Sequence, residues 1–488
     1  ESAILAVAGG ALGLAVAWSL IRVAPKFVPP NAIPGGPIEL SLTVIWFTLA
    51  VSLVTCALFG LAPALAAASS DTQTVLKDSS RGSTTGTKRR QFRQLMVAAE
   101  VAVALMLLAS TWLMIVDLRG VARIDPGFDA KNVLTLRLYM PLTKYDAPQT
   151  LAFYRRALPG LAALPGVESV TVGSSLPLNT ISITNVVTFD LEGAPPRGEG
   201  ELPLVAYAAV DSGYFRTLGI RLQRGRLFTP ADDERAPLVA LMDQTMAARY
   251  FSDQDPIGKR IIVNRPLRSA GEEQVKVEIV GIVGNVKLTD LSSDPKPLLY
   301  VPILQNPFAK TVWFAARTNV DPLSLSSAVR REFMDIDREQ PVEQVGSLDQ
   351  IVARQFAQPR FQTGLMSSFA LMALLLAAVG IYGVNTYAVQ LRKNEIGVRM
   401  ALGASRGHVL RNIIVQGMRP TAIGIIVGLA GAEAIAQGLK SVVVGPGAID
   451  PLAFLGAALL LAIVAAGACF IPARKATRID PAIALKAE

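Results

Sequence analysis

Six apolar stretches, each near the length of a bilayer-crossing helix and nearly free of charge, constrain this chain more than any other feature. A hydrocarbon core needs about 20 apolar residues in a helix, because backbone groups there find hydrogen-bond partners only within the helix itself. The stretches are Ala3–Ile21, Leu42–Ala68, Leu95–Val116, Phe361–Val389, Met418–Ile435 and Ala453–Ile471. Between the third and fourth runs ordinary water-soluble sequence, residues 118–358. The expected fold is therefore membrane α-helical, with six transmembrane helices, plus an α/β extracytoplasmic domain of two lobes. Small residues four apart, Gly9 with Gly13 and Gly424 with Gly428, predict closely packed helix backbones.

Charge sets the orientation. Residues 118–358 hold 27 Lys+Arg and 27 Asp+Glu, so the net charge of +9 falls on the remainder, which has 20 basic and 11 acidic residues. These basic residues flank the apolar stretches: Lys77, Arg81, Lys88, Arg89, Arg90 and Arg93 in the loop 69–93, Arg392, Lys393, Arg399, Arg406 and Arg411 in the loop 391–411, and Arg474, Lys475, Arg478 and Lys486 in the tail. Under the positive-inside rule all three segments are cytoplasmic. The loops 22–41 and 436–452, poor in Lys and Arg, take the opposite face, and alternation of spans puts 118–358 there too. Basic residues placed beside apolar spans argue for membrane orientation rather than nucleic-acid binding.

Catalytic chemistry finds little material. The two cysteines, Cys56 and Cys469, lie inside apolar stretches, and His408 is the single histidine. Residues 118–358 contain neither His nor Cys, which excludes His-based triads, thiol nucleophiles and zinc hydrolysis there. Asp232-Asp233-Glu234 could attract a cation, but three adjacent acids point in different directions and lack an EF-hand frame, so a solvated loop is the expectation. Gly281-Ile282-Val283-Gly284 is too short to cradle a phosphate, and Gly82–Lys88 lacks the Walker spacing. No catalytic, cofactor or metal residue is expected, and the chain is not expected to be an enzyme. Two acids sit within apolar stretches, Glu100 in the third and Glu433 in the fifth. Such acids are candidates for coupling, for helix pairing or for snorkelling to the nearest headgroups.

The first two stretches recur as the last two. Pro63-Ala64, Asp71 and Leu76-Lys77 match Pro472-Ala473, Asp480 and Leu485-Lys486 at a constant offset of 409, while Gly9, Gly13, Leu14 and Ala15 match Gly424, Gly428, Leu429 and Ala430 at 415. In each copy the proline is expected to end the membrane helix and the basic residues to hold that end at the headgroups. The chain opens on Glu1-Ser2 directly before an apolar stretch, so the first module is expected to be truncated. The domain plan is then 1–68, the last two helices of that first module; 69–93, a basic linker; 94–117, the first helix of a second module; 118–358, the outer domain; and 359–488, three helices with a tail.

Within 118–358 short β-like runs alternate with helical ones: Asn132–Leu138, Ser169–Gly173, Leu238–Leu241, Val275–Val286, Thr311–Arg317 and Val342–Val345 as strands, Pro148–Leu164 and Leu323–Phe333 as helices. Threaded among them are Asp125-Pro126-Gly127-Phe128-Asp129, Leu164-Pro165-Gly166-Val167-Glu168-Ser169-Val170, Gly213-Tyr214-Phe215-Arg216-Thr217-Leu218-Gly219-Ile220, Arg224-Gly225-Arg226, Asp255-Pro256-Ile257-Gly258-Lys259-Arg260 and Ile279-Val280-Gly281-Ile282-Val283. In this order they resemble the MacB-like periplasmic core domain. Asn394-Glu395-Ile396-Gly397-Val398-Arg399-Met400-Ala401-Leu402-Gly403-Ala404 resembles the cytoplasmic signature of FtsX-like permeases, and the repeated helices resemble the duplicated ABC permeases called ADOP.

The resemblance implies a multi-pass permease of the bacterial inner membrane, of the type VII or mechanotransmission kind. In such systems a separate cytoplasmic ABC ATPase drives a periplasmic domain to export or extract an amphipathic substrate. It further implies that residues 394–404 touch the ATPase. There Glu395 and Arg399 pair at i,i+4, while Ile396 with Met400 and Val398 with Leu402 form apolar ridges. The implied partners are that ATPase, membrane lipid, a periplasmic or outer-membrane component, and the missing N-terminal half of the same protein. A second reading has the chain transport nothing and activate a periplasmic partner such as a cell-wall hydrolase.

Overall fold

In the computed structural model the described residues are 2–23, 41–56, 84–141, 143–178, 186–193, 202–252, 254–266, 272–307, 309–402, 404–439 and 451–477. They divide into a helical unit, Glu1–Gly120 with Ala357–Glu488, and an inserted unit, Val121–Phe356.

The helical unit contains α1 (Ser2–Val23), α2 (Leu42–Cys56), α3 (Thr84–Val121), α9 (Ala357–Leu391), α10 (Lys393–Ala401), α11 (Arg406–Leu439) and α12 (Pro451–Ala476). Four stretches are long and apolar enough to cross a membrane: Gln91–Val121, Leu348–Leu391, Arg406–Gly438 and Phe454–Ala476. The two earlier candidates supply shorter apolar segments among the described residues, Val7–Ser19 and Leu42–Val54. The described residues thus reach four spans rather than six, and residues 57–68 of the second candidate lie outside them. Large apolar side chains such as Leu371, Leu375, Leu376 and Val379 are exposed along α9, as a face turned to lipid requires.

Close approach of backbones joins α3 to α11. A side chain at Gly424 of α11 would reach within 2.7 Å of Val101, one at Gly428 within 3.0 Å of the Ala102 carbonyl, and one at Gly431 within 2.6 Å of the Met106 sulfur. Positions advancing along α3 therefore meet positions advancing along α11, and the two helices run in the same direction. Helix α9 runs opposite to α3, since Glu100 abuts Gly380 while Arg93 stacks over the Tyr387 ring at 4.1 Å. Asn385 of α9 is buried, donates to the Cys469 Sγ of α12 at 2.9 Å and fills the space beside Gly417 of α11. At the same end Ile396, Val409 and Ala476 pack together. Arg93, Arg392, Arg411 and Arg474 consequently share one end of the bundle.

Two expectations change here. Helix α12 continues through Pro472 to Ala476 instead of ending there. A proline costs one N–H bond and crowds the carbonyl four residues back, and burial of Pro472, Ala473 and Ala476 holds the last turn in place. The remaining repeat marks, Pro63-Ala64, Asp71, Leu76-Lys77, Asp480 and Leu485-Lys486, lie outside the described residues, as does most of the basic loop 69–93. The matched glycines also differ between the copies. Gly9 and Gly13 meet nothing among the described residues, and it is Gly10 that faces Ser52 of α2.

The inserted unit is built on one sheet. Its strands are β1 (Val133–Tyr139), β2 (Val167–Gly173), β3 (Val186–Leu191), β4 (Leu204–Val210), β5 (Leu222–Gly225), β6 (Val239–Asp243), β7 (Arg260–Pro266), β8 (Glu272–Val283), β9 (Leu298–Pro302), β10 (Thr311–Thr318) and β11 (Val342–Ser347). Helices α4 (Ala147–Ala162), α5 (Tyr214–Leu218), α6 (Gln244–Tyr250), α7 (Ser326–Ile336) and α8 (Leu348–Gln355) complete it. The order β11-β1-β10-β2 forms an open antiparallel part, while β4-β3-β7-β8-β6-β9 closes on itself through the parallel β4–β9 pair. The two parts meet in the sheet at Gly173 and Val210. Two lobes are recognisable in these pairings, but both apolar cores run through both parts.

Alternation explains those cores. On β10, Val312, Phe314 and Ala316 enter one cluster, while Trp313 and Ala315 enter the other. Helix α4, started by the Asp146–Gln149 capping box, brings Phe153 onto Phe333 of α7 with ring centroids 6.0 Å apart, and Phe314 meets Phe333 at 5.1 Å.

Gly424→Leu is expected to force α3 and α11 apart and to destabilise the detergent-solubilised chain by about 1–3 kcal/mol, the usual cost of overpacking. Gly9→Leu, at the repeat-matched position, is expected to leave the melting temperature unchanged. Thermal unfolding of the two purified variants measures the contrast, and equal melting would refute the close α3–α11 contact.

Candidate functional site

The sequence singles out the segment after α9, and the structure makes it a short helix. Helix α10 turns back from the end of α9 and is followed by Ser405, whose Oγ accepts from His408 N at 3.3 Å as α11 begins. Glu395 and Arg399 form the expected ion pair at 2.6 Å, one turn apart on the exposed face. A surface i,i+4 pair of this kind adds about 0.3–0.5 kcal/mol to the helix.

The two apolar ridges have different surroundings. Ile396 is buried against Val409 and Ala476, with Met400 packed onto the same cluster beside Ala404 and Ile413. Val398 is 42% exposed and Leu402 82% exposed. One ridge therefore seats α10 on its own bundle, and the other is left outward. Sequence periodicity separates the two ridges, but which one is covered depends on Val409 and Ala476, which are distant in the chain.

The intramembrane acids are not brought together. Glu100 sits at the α3–α9 contact beside Gly380, whereas Glu433 accepts from the Gln437 side chain one turn later on α11, at 2.9 Å. Glu433 is thus satisfied within its own helix.

In the inserted unit the motif residues fold onto one another. Gly127 has φ +83°, and a side chain there would strike the Asn285 carbonyl; Pro126 accepts from Lys287 N at 3.0 Å, and Asp129 N donates to the Leu218 carbonyl at 2.8 Å. Arg317 ties Asp129 and the Thr217 carbonyl together at 3.1 and 3.0 Å. Gly225, with φ +80°, lets β5 lie against Gly281 of β8, where a side chain would come within 2.6 Å of the Gly281 Cα. Gly258 N donates to the Ile279 carbonyl at 2.8 Å, and Arg224 pairs with Asp255 at 2.6 Å. Five of the motifs, those at 125–129, 213–220, 224–226, 255–260 and 279–283, describe this packing rather than a reactive centre.

The acidic run 232–234 is drawn apart in the same way. Asp232 is buried, accepts two bonds from Arg226 at 2.8 and 2.9 Å and accepts from Thr229 N, so it is not the solvated residue expected. Asp233 accepts from Arg235 N and Ala236 N, and Glu234 pairs with Arg155 at 2.6 Å. Among the described residues no three His, Cys, Asp or Glu side chains form a metal-binding group.

These features define a class: membrane-length apolar helices interrupted by one inserted α/β domain. Residues 101–332 match the family model of the MacB-like periplasmic core domain and residues 367–481 that of the FtsX-like permease C-terminal region, so the chain carries both of these domains. It is 25% identical over 349 residues to the uncharacterized ABC transporter permease YknZ of Bacillus subtilis (strain 168), covering 70% of this chain and 81% of YknZ. It is 27% identical over 281 residues to the macrolide export ATP-binding/permease protein MacB of Neisseria meningitidis serogroup A, covering 57% of this chain but 42% of MacB. The chain thus spans less than half of that relative. The crystal structure of the periplasmic region of MacB from Actinobacillus actinomycetemcomitans aligns with 46% of this chain and 92% of that one, at 15% identity and a TM-score of 0.31.

One buried acid gives the inserted unit a pH signature. Asp243 caps α6, accepting from Met246 N at 2.8 Å and from Leu298 N at 3.1 Å. Burial pushes its carboxyl up from 3.8 to about 6, against the pull of those two N–H donors. Between about pH 4 and 6 the folded domain holds a proton that the unfolded chain has released. Its stabilising contribution is therefore complete below about pH 4 and lost as pH rises through about 6. At 1.36 kcal/mol per pH unit this gap corresponds to about 3 kcal/mol. Asp243→Asn keeps the accepting oxygen and is expected to remove the part of the pH dependence that Asp243 contributes; unfolding of both chains across this range would disprove the assignment if the two curves stayed parallel.

Proposed function

We propose that this chain is the permease part of a mechanotransmission ABC transporter of the bacterial inner membrane, with residues 118–358 in the periplasm. A cytoplasmic ATPase drives it through α10, and the stroke exports or extracts an amphipathic substrate. The observation that carries the reading is the length and continuity of two helices. α3 has 38 residues and α9 has 35. At 1.5 Å per residue each is more than 50 Å long, against a hydrocarbon core of about 30 Å. Helices that outrun the bilayer by some 20 Å are suited to carry displacement from one side to the other. The basic end of the bundle, with Arg93, Arg392, Arg411 and Arg474, supports a cytoplasmic location for α10. In the full protein we place six spans, the first two belonging to a duplicated module of the ADOP kind.

In this reading Val398 and Leu402 form the ATPase contact, Glu395 and Arg399 flank it, and Ile396 and Met400 anchor α10 to the bundle. Val398→Glu combined with Leu402→Glu is expected to reduce capture of the ATPase by tagged full-length protein about tenfold or more, the penalty of losing a central apolar contact. The melting temperature of the permease should not change. Ile396→Ala should instead lower its stability by roughly 2–4 kcal/mol. Undiminished capture by the Val398/Leu402 variant would remove α10 from the coupling role.

A further inference from the structure

At the end of the bundle where the arginines gather, α3, α9, α10 and α11 leave a cavity of about 430 Å³, within the range of small-molecule sites. Its cause is local. α11 presents Gly417 and Pro420 to it, and Gly417 has no room for a larger residue because Asn385 fills the space beside its Cα. The deeper wall is apolar, with Val97, Ile381 and Ile413, and the rim is cationic and polar, with Arg93, Arg392 and Gln416.

Both guanidiniums are held in place without being neutralised. Arg93 lies over the Tyr387 ring at 4.1 Å, and Arg392 donates to Gln416 Oε1 at 2.6 Å. Among the described residues neither has a carboxylate partner. Glu395 on the same helix as the cavity wall is paired with Arg399. Two fixed guanidiniums, without a carboxylate partner among the described residues, at the mouth of an apolar cavity level with the end of the membrane-crossing segments, match an amphiphile with a phosphate head and a hydrocarbon tail.

We infer that this cavity is a binding site for one anionic phospholipid. Arg93 and Arg392 grip its phosphate, and an acyl chain enters along Val97, Ile381 and Ile413. Because α10 and α9 both line the cavity, the lipid braces the joint between them. The site is distinct from the outward ridge of α10, and the inference does not depend on which ATPase is bound.

The test uses the purified full-length chain in a mild detergent, with lipid binding followed by native mass spectrometry and by thermal shift. Cardiolipin and phosphatidylglycerol are expected to bind and raise the melting temperature, whereas phosphatidylcholine and inorganic phosphate should not. Arg93→Gln with Arg392→Gln should weaken binding of the anionic lipids about thirtyfold, at roughly fivefold per arginine. Arg406→Gln with Arg411→Gln removes two charges outside the cavity and should change binding less than about threefold. Equal binding of phosphatidylcholine, an equal shift from inorganic phosphate, or equal losses in the two double variants would each overturn the proposal. So would a dimer without lipid that dissociates on the Arg93/Arg392 change, which would give the cavity to a second copy of the chain.

Discussion

The close contact of α3 with α11 is the constraint on which the helical unit depends. In hydrocarbon the hydrophobic effect offers no gain for bringing helices together, so association rests on packing and on the few polar bonds available. Glycines at 424, 428 and 431 allow α11 to lie against Val101, Ala102 and Met106 without an intervening side-chain layer. That contact fixes the level of α11 relative to α3, and Glu100 beside Gly380 fixes α9 against the same helix. Once these levels are set, the basic residues at four helix ends meet at one height. The cavity and the seat of α10 are consequences of that alignment.

The inserted domain obeys a different rule. Its apolar residues alternate so that both faces of the sheet are buried, and each face supplies one core. The glycine-bearing strings that mark it as a MacB-like domain occur where two backbones approach closely or a turn needs positive φ, as at Gly225 against Gly281 and at Gly127 beside Asn285. A domain whose marked residues serve its own packing is suited to move as a rigid body.

Much of this was legible in the amino-acid sequence, and the limits have physical causes. Apolar runs locate the spans, but they hide the first 12 residues of α11, where Arg406, His408, Arg411 and Gln416 interrupt the pattern while the backbone is already helical. Alternation reveals β1, β2 and β10. It misses β3, β4, β7 and β9, and also β5, whose four residues are all exposed, and α5, which is only five residues long. The pairing of Glu395 with Arg399 follows from spacing alone. The cavity could not be anticipated, because its walls come from four helices distant in the chain.

Asn385 joins three helices at a single point, bonded to Cys469 on α12 and lodged against Gly417 on α11. A slide of α9 by one helical turn, about 5.4 Å, would leave its amide without a partner in a medium that offers none. Axial slip is therefore resisted at this level, while rotation about it is not. A tilt of α9 that kept this bond would pivot near one end of the helix, with six residues of α9 beyond Asn385 on the basic side and twenty-eight on the other.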